Sequence, residues 1–134
     1  MIVFADTFAL IGWLNPRDEA HARVAGFLEE FTGRLLTTEW VLMELADALS
    51  APASRGTVAA FLRAVRSDPM FEVVGYQPEI YEAGFELFCN RSDKAWSLTD
   101  CISFAVMAKR KLVDALTADR HFEQAGFRAV LLAP

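Results

Sequence analysis

The sequence predicts an α/β fold built on a mainly parallel sheet. Short apolar runs recur along the chain with helical patterns between them, the alternation that parallel sheets require. The first run, Ile2–Ala5, is apolar at every position, as in a strand covered on both faces.

Five segments read as strands: Ile2–Ala5, then residues 34–37, 71–76, 114–118 and 128–132. The second is short and weak; the fourth is weak by propensity but lies between two helical patterns. Residues 18–31 put Val24, Phe27, Leu28 and Phe31 at helical spacing. Residues 39–49 do the same with Val41, Leu42, Leu45 and Leu49, and residues 57–66 and 78–89 follow the same logic. Leu98–Lys109 is apolar on nearly every side and predicts a central, buried helix. Residues 120–125 predict a short helix closed by Gly126. The breaker-rich stretch from Ser50 to Gly56 reads as a loop between helices, and residues 90–95 as a second polar loop.

At 134 residues with 54% apolar and 23% charged content, the chain is expected to form one packed domain, residues 1–134. It carries 13 basic and 18 acidic residues, a net charge of −5. An acidic chain is a poor general binder of nucleic acid, although a local basic rim around an acidic pocket remains compatible with it. No stretch is long and apolar enough to span a membrane. The N-terminus reaches Asp6 at once and lacks a basic leader region, so it reads as a strand and not a signal peptide. Cys89 and Cys101 fit no metal spacing and are expected to be reduced, buried thiols of a cytoplasmic protein.

Ligands of open parallel sheets bind beyond the carboxyl ends of the strands. Asp6 ends the first strand and Asp119 follows the fourth; each is also a good helix N-cap. On the helix from residue 39, Glu44 falls at the edge of the apolar face, whereas Asp47 points away from it. Asp100 completes a capping box with Ser97, yet it heads a helix with almost no polar side. Four carboxylates converging on one apolar crevice repel one another, and a divalent cation resolves the conflict. Oxygen ligands favour Mg²⁺ or Mn²⁺ over zinc, and such ions serve phosphodiester hydrolysis. His21 and His121 are too few for a His-rich zinc site and read as surface or boundary residues. Trp13, Trp40 and Trp96 suit packing better than base stacking. Arg91, Lys94 and Arg120 are among the basic groups closest to the acids in sequence and are candidate phosphate-backbone contacts.

At these residues the chain resembles the PIN domain family, of the kind found in VapC-type toxin ribonucleases and related stand-alone proteins. The resemblance runs through Val3-Phe4-Ala5-Asp6-Thr7, the segment from Leu36 to Leu45 with Glu44, Ser97-Leu98-Thr99-Asp100-Cys101, and Leu116-Thr117-Ala118-Asp119-Arg120-His121-Phe122 followed by Gly126-Phe127. It implies a five-stranded parallel sheet in the order 3-2-1-4-5 flanked by helices. It also implies Mg²⁺- or Mn²⁺-dependent hydrolysis of RNA, leaving 5′-phosphate and 3′-hydroxyl ends. Asp6 and Asp100 would be the direct metal ligands, and Glu44 and Asp119 would complete the site. Thr7, Ser97 and Thr117 would orient the carboxylates. The family further implies a homodimer and, for toxin members, an antitoxin protein as partner. Many members carry Ser or Asn two residues after the first acid, where this chain has Phe8.

Two other readings compete. A catalytically silent module of the same fold, acting through a protein or RNA partner, would usually have lost acidic residues, and all four are present. A phosphatase or phosphoacceptor using Asp6 would need a second Asp at position 8, which is Phe8.

Overall fold

The computed structural model describes residues 1–132. The strands are β1 (Ile2–Ala5), β2 (Arg34–Thr38), β3 (Phe71–Val74), β4 (Asp114–Leu116) and β5 (Arg128–Ala129). The helices are α1 (Thr7–Leu14), α2 (His21–Glu30), α3 (Glu39–Ala48), α4 (Pro52–Ala64), α5 (Pro78–Asn90), α6 (Leu98–Lys109) and α7 (Arg120–Gln124). All five strands run parallel, in the order β3-β2-β1-β4-β5. The family order therefore holds. The central strand β1 is the most apolar run, with Val3, Phe4 and Ala5 fully buried.

Register explains how the chain ends of the strands meet. Phe4 pairs with Ala115 and Ala5 with Leu116, so the next residues, Asp6 and Thr117, emerge side by side. On the other flank Phe4 pairs with Leu36, and the Thr37 hydroxyl donates to the Ala5 carbonyl at 3.0 Å. Three neighbouring strands thus place polar side chains at the same end of the sheet.

Several boundaries differ from the sequence reading. Helix α1 has no counterpart there, because Thr-Phe-Ala-Leu-Ile-Gly-Trp-Leu has no polar face to mark a period. Helix α2 starts at His21 and not at residue 18, since Asn15 and Asp18 turn the chain by accepting from the Arg17 and Ala20 amides. Helix α4 starts inside the expected loop. Pro52 stands in its first turn, where the missing N–H costs nothing. A 3₁₀ turn, Val65–Ser67, follows it. Strands β3, β4 and β5 are shorter than expected. Beyond β5, Val130 and Leu131 still donate to Ala115 and Thr117, but the Leu132 amide turns back onto Ala129.

Helix α6 has the predicted bounds and is central, with Cys101, Ile102, Phe104, Val106 and Met107 all buried. It packs on α5 at unusually close range. A Cβ on Gly84 would lie 2.7 Å from the Ile102 Cα, so only glycine fits there. Aromatic rings then fix α6 against its neighbours. Phe104 meets Trp96 and Phe122 edge-on at centroid distances of 5.1 and 4.9 Å, and Phe122 touches Phe4 of β1. The two thiols are both free, but only Cys101 is buried; Cys89 is exposed near the end of α5, contrary to expectation. No helix of the described residues is long and apolar enough to cross a membrane.

Candidate metal centre

The crevice at the carboxyl ends of the strands holds Asp6, Thr7, Thr37, Thr38 and Thr117, all buried. Asp6 occupies the N-cap position of α1, yet its carboxylate makes no capping hydrogen bond. It accepts instead from the Thr117 hydroxyl, 3.0 Å away. Thr117 in turn receives the Asp119 amide at 3.0 Å. Burial pushes the Asp6 carboxyl up to about 7, and the Asp100 charge adds to this, with a smaller contribution from Asp119. The Thr117 hydroxyl and the Thr7 amide pull the other way without cancelling the rise.

The other acids are better provided for. Asp100 and Ser97 form the predicted capping box: the Asp100 amide donates to Ser97 Oγ at 3.0 Å, and the Ser97 amide donates to Asp100 Oδ2 at 3.2 Å. Asp119 caps α7 by accepting from the His121 amide at 2.9 Å. Glu44, half-buried on α3, accepts from the Thr7 hydroxyl at 2.5 Å. Asp47 is exposed, as helical geometry requires.

Asp6, Asp100 and Asp119 are close enough for the charges of the last two to act on the first. Glu44 is tied to Thr7, the residue that follows Asp6. Each of the three hydroxyl-bearing residues singled out in the sequence touches a different acid: Thr117 reaches Asp6, Thr7 reaches Glu44, and Ser97 reaches Asp100. The candidate basic contacts are less uniform. Arg91 is occupied by a two-pronged pair with Asp93 and stacks over the Trp96 ring at 5.0 Å. Arg120 is exposed and pairs with Glu123 at 3.2 Å. Lys94 makes no ion pair among the described residues. Phe8 is half-buried and lines a groove beside the site with Asp18, Glu19, Arg23 and Ala118.

His121 is the residue that sequence reasoning passed over. Its Nδ1 lies 3.1 Å from Asp100 Oδ2 and 3.5 Å from Asp119 Oδ1. One donor atom from each of Asp100, Asp119 and His121 can be chosen so that all lie within 4.8 Å of one another. The available signal was its place two residues after Asp119, on the first turn of the short helix that Asp119 caps. That donor set, two carboxylates and one imidazole, suits a divalent cation, and Asp6 lies close enough to feel the charges of both acids.

The model for the PIN domain matches residues 3–128. Over 127 residues the chain is 27% identical to the 23S rRNA-specific endonuclease VapC20 of Mycobacterium tuberculosis, covering 94% of this chain and 95% of that protein. The crystal structure of M. tuberculosis VapC20, described as a sarcin-ricin-loop-cleaving toxin, superposes with a TM-score of 0.88 at 24% identity, covering 96% of this chain and 98% of the other. FitAcB from Neisseria gonorrhoeae matches in fold with a TM-score of 0.68 at 16% identity, covering 97% of this chain and 99% of that one. VapBC2 from Rickettsia felis, bound to a promoter DNA fragment, matches with a TM-score of 0.66 at 14% identity over 92% of each chain. With a family match that spans nearly the whole chain and a sheet in the family's strand order, the chain belongs to the PIN domain family.

Proposed function

We propose that this protein is a divalent-cation-dependent endoribonuclease of the VapC type, with Asp6, Glu44, Asp100 and Asp119 as its catalytic acids. The observation that carries the reading is Asp6. It is 4% exposed, caps nothing, and bears the charge of two neighbouring acids. A fold that needed only a cap would not leave a carboxyl in that state.

Asp6 and Asp100 hold the cation directly. Glu44 and Asp119 complete the site from its two flanks. Thr117, Thr7 and the Ser97 amide fix the carboxylate orientations through the hydrogen bonds given above. When bound, Mg²⁺ or Mn²⁺ supplies Lewis acidity to the phosphodiester and makes a water nucleophilic near neutral pH. Arg120, beside Asp119, contacts the RNA backbone, with Lys94, six residues before Asp100, as a second contact; Arg91 contributes less, because Asp93 and Trp96 already engage it. Cleavage leaves 5′-phosphate and 3′-hydroxyl ends.

The similarity to a 23S rRNA-specific endonuclease makes structured RNA, ribosomal RNA first, the substrate to try. The VapC likeness also supports an antitoxin protein as partner. A homodimer is supported by an exposed aromatic stripe on α5. Tyr81, Phe85 and Phe88 recur at helical spacing there, with Tyr81 stacked on Phe85, and Trp40 and Tyr76 extend it towards α3.

End-labelled ribosomal RNA, incubated with the protein in Mg²⁺, Mn²⁺ or EDTA, tests the reading. Discrete cuts with 5′-phosphate ends are expected with either cation and none in EDTA. Cleavage that persists in EDTA or in Asp6→Asn contradicts it.

A further inference from the structure

The family pattern of four acids does not account for His121, although its Nδ1 lies 3.1 Å from Asp100 Oδ2 and 3.5 Å from Asp119 Oδ1. We infer that His121 donates a nitrogen to the cation of this site and biases it towards transition-series ions such as Mn²⁺ over Mg²⁺. The inference rests on the nuclease reading and concerns which ion that site prefers.

The position of the ring follows from local structure. Asp119 caps α7 through the His121 amide, which pins the His121 backbone in the first turn. The side chain then reaches back across the gap to α6, where Nδ1 meets Asp100 Oδ2 at 3.1 Å while remaining 3.5 Å from Asp119 Oδ1. The ring therefore stands between two acids from different helices. Neighbouring ligands on an octahedral ion with bonds of about 2.1 Å lie about 3 Å apart. The two spacings from Nδ1 are close to that value.

Donor chemistry sets the direction of the preference. Mg²⁺ is a hard ion that keeps its waters and takes oxygen ligands. Imidazole strengthens binding progressively along the transition series and adds little for Mg²⁺. A site of carboxylates alone treats Mg²⁺ and Mn²⁺ more evenly than one with a nitrogen among them.

Calorimetric titration of wild type, His121→Asn and His121→Gln with Mn²⁺ and with Mg²⁺, without RNA, tests this alongside pulsed EPR of the Mn²⁺-loaded protein. Wild type is expected to show ¹⁴N coupling to Mn²⁺, and both variants to lose it. The preference for Mn²⁺ over Mg²⁺ should fall about tenfold or more in the variants, within the usual range for perturbed metal ligation. Asparagine can keep the bond to Asp100, so an equal loss of both ions would mean that His121 only positions that acid, and the inference fails. Absence of ¹⁴N coupling in wild type also overturns it, and that spectrum decides even where a variant does not fold. If wild type binds both ions without nitrogen coupling, the nuclease reading stands and this inference falls. If it binds neither, both fall.

Discussion

The two sides of the crevice treat their carboxylates differently. On the α6–α7 side, Asp100 and Asp119 each secure a helix N-terminus and share the His121 ring. On the β1 side, Asp6 sits at the mouth of a helix without capping it and is held in burial by the Thr117 hydroxyl and the Thr7 amide. The first pair stabilises the fold whatever else it does. Asp6 costs stability whenever it is ionised and no cation is present. An acid kept at such a cost identifies a function more clearly than acids that also serve as caps.

The largest effect that would break this contrast is on cleavage. Asp6→Asn and Asp100→Asn are each expected to lower RNA cleavage by about a thousandfold or more, the scale of several kcal/mol of lost transition-state stabilisation. Retained cleavage in both would erase the distinction between the two sides and the site with it.

Stability should move in opposite directions on the two sides. The Asp6 carboxyl is raised from 3.8 to about 7 in the folded chain. Well below pH 3.8 the group is protonated in both folded and unfolded states and exacts nothing. As pH rises from 4 to 7 the unfolded chain ionises first, so folding loses stability across that window. The loss amounts to about 2 to 4 kcal/mol by pH 7.5. In EDTA, Asp6→Asn should therefore melt above wild type at pH 7.5, with the gap closing towards pH 4. Thermal melts across pH check both sign and window. Ser97→Ala and Asp119→Ala should each destabilise by about 1 kcal/mol, the usual worth of an N-cap. Chemical denaturation would show this, and a neutral result would deny that these residues serve as caps.

The smallest effect separates surface charge from scaffold. Arg120→Ala is expected to leave the melting temperature unchanged, because its pair with Glu123 is exposed, yet to weaken RNA binding and its salt dependence. Filter binding at two salt concentrations measures it.

Much of the scaffold was legible because its signals are local. The apolar run of β1, the bounds of α6 and the Ser97–Asp100 box follow from residue type and spacing alone. The strand order came from the family resemblance, since pattern gives elements and not their neighbours. Helix α1 was invisible because a helix buried on nearly all sides has no period, and Pro52 concealed the start of α4 by looking like a breaker. The site was only half legible. That Asp6 is no cap, and that His121 reaches Asp100, depends on side-chain directions set by packing between β1, α6 and α7. The aromatic contacts among Phe4, Phe104 and Phe122 fix that arrangement, and none is local in sequence.

The most direct test of the central claim is a Mn²⁺ titration of the melting temperature at pH 7.5, wild type beside Asp6→Asn. Starting below the variant, wild type should climb with added Mn²⁺, as binding to the native state requires, while the variant stays nearly flat. A wild type that ignores Mn²⁺, or a variant that responds equally, would contradict the account: Asp6 would then not be the acid that the cation relieves.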